Sequence, residues 1–282
     1  MIKYVLLHLR HILHEIMEAE FKLASNFKGI IEIISTFADN INMRFDQNGI
    51  SIQALDSGNI SMLNIQLFDD QFSEYTSKGT GFISMSATSL KPILKSMKDR
   101  DGLRMKLPSL ESNTVDFILT DGDRRNKYSV KLMNIDIDML NMDVEMDHDI
   151  FISTGKMAMS KILTDIKNLE GDDVEFIINQ DNLHIQVNSD QCNLKIKPAK
   201  EIMRVMTPTE EDSTFHVKFS SKYINNIHKM LSICQSRMNL KLDKSCPLLL
   251  EMTICSEEDE LKNGNKKRST MKYFLAPKLD DF

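Results

Sequence analysis

Two hydrophobic periods alternate along the chain and predict different elements. Apolar residues recur at helical spacing at Val5, Leu6, Leu9, Ile12, Leu13, Ile16 and Met17, and again at Phe27, Ile30, Ile31, Ile34 and Phe37. That spacing predicts an amphipathic helix over 5–17, ahead of the main fold, and a second helix over 27–38. Leu90, Ile93, Leu94 and Met97 predict a helix over 87–98, and Ile162, Leu163, Ile166 and Leu169 one over 157–169. A last helix is expected over about 220–235. Between the helices the period drops to two. Ile50-Ser51-Ile52-Gln53-Ala54-Leu55 and Met62-Leu63-Asn64-Ile65-Gln66-Leu67 alternate as half-buried strands do. Further strands are expected around 102–107, 113–120, 127–132, 174–179 and 183–187.

The order of elements then starts over. Residues 48–54 (Asn-Gly-Ile-Ser-Ile-Gln-Ala) align with residues 181–187 (Asp-Asn-Leu-His-Ile-Gln-Val) at a displacement of 133 residues. The same displacement brings Lys28 onto Lys161 and Glu32 onto Asp165. At 134, Ser86, Leu90, Ile93 and Lys95 meet Ser220, Ile224, Ile227 and Lys229. A period of half the chain, held through two helices and a strand pair, indicates a duplicated domain. The expected architecture is α+β, with two copies of a unit that holds β-sheets and two helices. Domain 1 is expected at 19–131, a connecting segment at 132–149 and domain 2 at 150–282, with the helical extension at 1–18. The connecting segment alternates apolar and acidic residues. It can lie extended with apolar side chains partly exposed, which suits it to holding a peptide.

Charge sharpens this picture. The net charge of −6 excludes a protein that coats nucleic acid by bulk positive charge. The four windows 27–38, 87–98, 156–169 and 220–235 nevertheless carry nine lysines (Lys28, Lys91, Lys95, Lys98, Lys156, Lys161, Lys167, Lys222 and Lys229) against Glu32 and Asp165. They hold +7, which leaves −13 for the remainder. If both copies turn their helices one way, a basic face results that can neutralise a few phosphates without reading bases. The 41% hydrophobic and 27% charged composition fits a globular chain and excludes disorder or a collagen-like fibre.

Little chemistry is written into the sequence. It holds no G-x-x-x-x-G-K-[ST], G-x-G-x-x-G after a strand, H-E-x-x-H or G-x-S-x-G. No enzyme, metal or cofactor is expected. Asp143, Glu145, Asp147, His148 and Asp149 lack the glycine and spacing of a calcium loop and are taken as solvated acids. Cys192, Cys234, Cys246 and Cys255 include no C-x-x-C, which points to inert, mostly buried thiols in a reducing compartment. The stretch 5–10 is too short and interrupted for a membrane span. The histidines, Arg10 and the acids after it also break a signal-peptide pattern, so an intracellular protein with no membrane partner is expected.

Three segments resemble one family. Asn48-Gly-Ile-Ser-Ile-Gln-Ala-Leu-Asp-Ser-Gly-Asn-Ile-Ser-Met62 and Tyr128-Ser-Val-Lys-Leu-Met-Asn-Ile-Asp-Ile137 are similar to signatures of proliferating cell nuclear antigen, the eukaryotic and archaeal DNA sliding clamp. The ending Met271-Lys-Tyr-Phe-Leu-Ala-Pro-Lys-Leu-Asp280 is the most specific of the three. The resemblance covers about residue 19 to the C-terminus. It implies a homotrimer of two-domain subunits around a central hole lined by the helices. Such a clamp has no catalytic activity; it tethers polymerase and other replication and repair proteins to duplex DNA and is opened by an ATP-driven loader.

By residue, the resemblance assigns DNA contact to Lys28, Lys91, Lys95, Lys98, Lys161, Lys167, Lys222 and Lys229. It implies a partner-peptide pocket of Leu55, Asn59, Ile60, Met62, Leu140, Met142, Pro247, Phe274, Ala276, Pro277, Lys278 and Leu279. Subunits are expected to pair 112–120 of one chain with 182–189 of the next, through Val115, Phe117, Leu119, His184, Gln186 and Asn188. The implied location is the nucleus, or a cytoplasmic replication site for a viral member. The helix at 1–18 has no family counterpart and fits a divergent, viral-type member. Two alternatives stay open: a subunit of a heterotrimeric checkpoint ring, and a monomeric factor that clings to DNA electrostatically.

Overall fold

The computed structural model describes residues 15–134, 148–180, 182–207, 214–254 and 267–278. The first copy of the fold runs β1 (Met17–Phe21), α1 (Ala24–Ile34), β2 (Asn40–Asp46), β3 (Gly49–Leu55), β4 (Ser61–Leu67), β5 (Phe72–Ser77), β6 (Gly81–Ser86), α2 (Ala87–Ser96), β7 (Gly102–Leu107), β8 (Thr114–Asp121) and β9 (Arg124–Lys131). The second runs β10 (Ile150–Gly155), α3 (Lys156–Leu169), β11 (Asp173–Asn179), β12 (Asn182–Asn188), β13 (Asn193–Ile196), β14 (Met203–Met206), β15 (Thr214–Ser220), α4 (Ser221–Met230), β16 (Arg237–Leu242), β17 (Leu248–Thr253) and β18 (Thr270–Leu275). Apart from a 3-10 turn at Asp69–Gln71 in the first copy, the two lists match element for element. β2 and β3 map end to end onto β11 and β12 at 133 residues, and α2 onto α4 at 134. The strand orders match too: β5-β1-β7-β8-β9 and β4-β3-β2-β6 in the first copy, β14-β10-β16-β17-β18 and β13-β12-β11-β15 in the second. The fold is α+β, and the duplication legible in the sequence is its organising principle.

Residues 17 and 18 correct one expectation. They open a strand rather than closing a helix. Met17 stands at helical spacing from Leu13, but it also begins the Met17–Ala19–Phe21 alternation, all three buried. Ladders to β5 and β7 satisfy the backbone on both sides. On the other face Arg104 binds Glu18 at 2.8 Å and also Glu20, while Lys106 binds Glu18 at 3.0 Å and Glu15 at 3.1 Å. Residues 1–14, which carry most of the expected helix, lie outside the described residues.

α1 begins three residues earlier than its apolar stripe and ends at Ile34. There the hydroxyls of Ser35 and Thr36 turn back to the carbonyls of Ile31 and Ile33 at 2.7 and 2.8 Å, ending the helix before Phe37. α4 likewise ends at Met230, short of the expected 235. α1 anchors a ring cluster in which Phe21 lies 5.0 Å from both Phe27 and Phe72, and Phe27 5.6 Å from Phe117.

The chain divides into two compact units. One holds Met1–Ala54, Ile65–Met139 and Asp259–Ser269; the other holds Leu55–Asn64, Leu140–Glu258 and Thr270–Phe282. Each unit thus takes in a short segment from the other copy's stretch of sequence. Ser269 is received by the first unit, its N–H donating to Asp70 at 2.9 Å and its hydroxyl at 2.5 Å. The segment 55–64 is received by the second and carries residues of the expected pocket. Among the described residues no helix is long and apolar enough to cross a membrane.

Candidate functional site

Within the segment 55–64, residues 56–60 form a turn between β3 and β4 that is built by one carboxylate. Asp56 accepts hydrogen bonds from the N–H groups of Gly58 (3.0 Å), Ile60 (2.8 Å) and Ser61 (2.5 Å), and from the Tyr223 hydroxyl on α4 (3.0 Å). An aspartate two residues before a glycine favours such a turn, and Asn59 takes the left-handed φ of 53° that asparagine tolerates. Burial tends to raise the Asp56 pKa. The hydrogen bonds from Ser61, Gly58, Tyr223 and Ile60 outweigh it and hold the carboxyl below its ordinary value. In return, burial and the Asp56 charge push the Tyr223 phenol upward.

This loop sets Leu55 and Ile60 at the surface, 43% and 41% exposed, and the neighbouring strands hold a buried apolar cluster of Met62, Leu249 and Phe274. The Ala276 N–H donates to the Ile60 carbonyl at 2.9 Å, which fixes the stretch 276–278 after β18 beside the loop. Farther on, the Lys278 N–H donates to the Lys218 carbonyl at 2.8 Å, and its ammonium reaches Asp173 at 2.5 Å. Leu55, Asn59, Ile60, Met62, Pro247, Phe274, Ala276, Pro277 and Lys278 therefore all fall in the second compact unit. Leu140, Met142 and Leu279 lie outside the described residues. Three contributors went unnoticed in the sequence. Leu249 is hidden in the run Leu248-Leu249-Leu250, where no alternation shows, and Asp56 and Tyr223 are 167 residues apart.

The helices place the lysines outward. α1 and α2 pack together in the first unit, α3 and α4 in the second. Their apolar stripes are buried, while Lys91, Lys95, Lys98, Lys161, Lys167, Lys222 and Lys229 are exposed and Lys28 is half-buried. Two of these are engaged: Lys98 with Asp121 at 2.7 Å, and Lys222 over the Tyr223 ring at 5.3 Å. Pro92 sits inside α2 without breaking it, and Ser86 caps the helix at the N–H of Thr88.

Comparison with known proteins joins these observations. The family model described as "Proliferating cell nuclear antigen, N-terminal domain" matches residues 16–141. Proliferating cell nuclear antigen of Saccharomyces cerevisiae is 28% identical over 94% of this chain and 99% of its own length. The probable DNA polymerase sliding clamp of Autographa californica nuclear polyhedrosis virus is 22% identical over 93% and 96%. The chain is a divergent relative of proliferating cell nuclear antigen. The crystal structure of that antigen from Entamoeba histolytica superposes with a TM-score of 0.79, covering 94% of this chain and all of that one at 20% identity, and so shares the fold.

Matching to the antigen model starts at residue 16, one residue before β1. For a relative of the antigen, the free strand edges are the surfaces to examine, and here the structure moves them. Val115, Phe117 and Leu119 lie on β8, which is hydrogen-bonded to β7 on one side and β9 on the other. His184, Gln186 and Asn188 lie on β12, bonded to β11 and β13. A strand with both ladders filled has no backbone groups left for a third, so neither can join subunits edge to edge. Those two sheets end in β5 and β9 and in β13 and β15, and the end strands next to β8 and β12 are β9 and β13. Half-buried Tyr128 and buried Val130 lie on β9, half-buried Leu194 and Ile196 on β13. Beside β13, burial, Lys195 and Lys197 together push the His184 imidazole pKa down.

The cysteines and acids fall as follows. Cys234 is buried and its thiol pKa is raised by that burial, Cys246 is half-buried, and Cys192 is exposed, unlike the mostly buried thiols expected. Asp143, Glu145, Asp147 and Cys255 lie outside the described residues. His148 is buried with a ring nitrogen 3.0 Å from the Pro247 carbonyl. Among the described residues no group of three or more His, Cys, Asp or Glu side chains could hold a metal ion.

Proposed function

We propose that this chain is a DNA sliding clamp. Three copies close into a ring around duplex DNA, and polymerase and other replication and repair proteins are tethered to it by short peptides. A separate ATP-driven loader opens the ring. The observation that carries this proposal is likeness over more than nine tenths of the chain to proteins named as proliferating cell nuclear antigen and as a probable DNA polymerase sliding clamp. The paired helices with outward lysines support non-specific contact with phosphates in a ring that does not grip its DNA. The exposed Leu55 and Ile60 and the buried Met62–Leu249–Phe274 cluster support a hydrophobic plug. The stretch 276–278 offers an extended peptide carbonyl acceptors only, since the Ala276 and Lys278 N–H groups are bonded to Ile60 and Lys218 and Pro277 has none.

The ring joint follows from the duplication. β18 is hydrogen-bonded to β4, whose residues 61–64 belong to the same compact unit. β18 is the second-copy equivalent of β9, and β4 the first-copy equivalent of β13. Repeating that pairing between chains sets β9 of one copy against β13 of the next, and three repetitions close a ring in which every β9 and β13 edge is paired.

Mass measurement in solution combined with retention on DNA tests the proposal. A threaded ring has three times the chain mass, stays on closed circular DNA in high salt and leaves after one cut. A protein that stays monomeric when concentrated, and that washes equally fast from closed and cut circles, overturns it. One observation favours a second reading, a heterotrimer subunit. Both open edges are basic, with Arg124, Arg125, Lys127 and Lys131 on β9 and Lys195 and Lys197 on and beside β13. Failure to trimerise alone, together with trimerisation on adding an acidic-edged clamp subunit, selects that reading.

A further inference from the structure

A groove of about 510 Å3 in the first unit lies between β6, residues 110–113 and residues 132–134 at the start of the connecting segment, and none of the assigned lysines or pocket residues lines it. Phe82, Leu110 and Met133 line it and are 49%, 60% and 39% exposed. Three large apolar side chains this exposed around one groove mark an interaction site. The groove's size also falls in the ~300–1,000 Å3 range of sites that enclose inserted groups.

The chain supplies an occupant at its rim. Ile16 is held on both sides, its N–H donating to the Leu107 carbonyl and its carbonyl accepting from the Lys78 N–H, each at 2.9 Å. Leu107 is three residues from Leu110, and Lys78 four from Phe82. Adding ~5 Å between hydrogen-bonded neighbours to ~3.5 Å per residue, both groove walls begin within roughly 15–19 Å of Ile16. The segment preceding Ile16 carries Val5, Leu6, Leu9, Ile12 and Leu13 at helical spacing. As a helix, residues 5–13 span ~14 Å, which is the same length scale. Charge agrees: residues 1–14 hold Lys3, Arg10 and three histidines with no acid, and Glu111 lines the groove. The tether itself sets a millimolar-scale effective concentration for docking.

We propose that residues 5–13 fold back as an amphipathic helix into the Phe82–Leu110–Met133 groove of the same chain. The match to the family model begins at residue 16, so this contact is an addition to the clamp fold.

Hydrogen–deuterium exchange of the full chain, at two protein concentrations, tests it. Amides of residues 6–13 should exchange at least ~10-fold slower than an unstructured segment at both concentrations. Leu110→Asp should abolish that protection while leaving β7 and β8 protected. Leu9→Ser with Ile12→Ser, which alters only the segment, should do the same and speed exchange at 82–84 and 110–113. Any of four results overturns the proposal: unprotected 6–13 in the parent chain, protection that survives both variants, protection that grows with concentration and so comes from a second copy, or a response to Leu110→Asp confined to the connecting segment.

Discussion

One carboxylate holds the loop that presents Leu55 and Ile60, and Asp56→Ala removes it. Four donors converge on Asp56, but they do not count equally. Gly58 and Ile60 are exposed, so water replaces the missing acceptor at their N–H groups. Ser61 is 2% exposed and Tyr223 9%, and their donors are left without a partner. At about 1–2 kcal/mol for each stranded donor, Asp56→Ala should destabilise the second unit by about 2–4 kcal/mol. Asp56→Asn keeps one acceptor oxygen and should cost about half that. Tyr223→Phe should cost about 1 kcal/mol, and the double variant should fall short of the sum by a similar amount, since either change removes the same bond. Urea unfolding gives the totals, and native-state exchange at the Ser61 amide localises them. The pH dependence has a definite sign. The folded pKa of Asp56 lies below its unfolded value of about 3.9, so its stabilisation is complete above about pH 4 and is lost as pH falls through the folded pKa. A stability for Asp56→Ala within about 0.5 kcal/mol of the parent would refute the reasoning. So would strict additivity with Tyr223→Phe, or a difference that fades near neutral pH.

Ile60→Asp should weaken binding of a clamp-binding peptide about 100-fold in calorimetry with no change in solution mass. Covering the exposed part of that isoleucine contributes about 1 kcal/mol, and an unpaired carboxylate beneath an apolar peptide costs about 2 more. Lys161→Glu with Lys229→Glu should lower the slope of log affinity against log salt on DNA by about 0.9 for each phosphate no longer neutralised, equally on any sequence; an unchanged slope removes those lysines from the DNA-facing set. Leu194→Arg adds a further positive charge to the β13 edge facing the basic β9 and should convert the assembly to single chains by sedimentation while the melting temperature moves by only a few degrees.

What the sequence discloses depends on which physical signal an element carries. α2 and α3 start at or next to the expected residue because their buried faces are strict 3.6-residue stripes. β3, β11 and β12 were recoverable from their period-two alternation, whereas β2 was not predicted; ahead of β3, Gly49 at φ 139° has no room for a Cβ, since one would stand 2.0 Å from the Leu67 carbonyl oxygen. The pocket residues were legible only through resemblance. Nothing local says that Ile60 meets Ala276 or that Asp56 meets Tyr223, because those bonds are made across long sequence separations. Strand β1 was hidden by residues that satisfy both periods at once. The subunit edges implied by the resemblance fall one strand away from the sheet ends, because nothing in the sequence says whether the ladders of β8 and β12 are filled.

Comparison of equivalent strands supplies that missing information and leads to a last prediction. β18 and β4 are joined within the chain, and their burial is high, with Met271, Tyr273, Phe274 and Leu275 buried on one and Ser61, Met62, Leu63, Ile65 and Leu67 on the other. Their equivalents β9 and β13 occupy the same places in the fold but are polar. β9 exposes Arg124, Arg125, Lys127, Ser129 and Lys131, and β13 exposes Asn193 and Lys195. An edge that must stay unpaired until it meets its partner carries charge for that purpose. Here both edges carry the same sign, and on β9 Lys127 is ion-paired to Asp116 at 2.7 Å. Bringing β9 to β13 therefore sets positive charges against one another, and mobile anions screen that repulsion over a Debye length of about 10 Å at 0.1 M salt. Self-association should tighten as salt rises from about 0.05 to 0.5 M, read as a rising trimer fraction in sedimentation at fixed chain concentration. A joint made of cross-edge ion pairs would loosen over the same range, and that outcome would remove β9 and β13 as the joining strands.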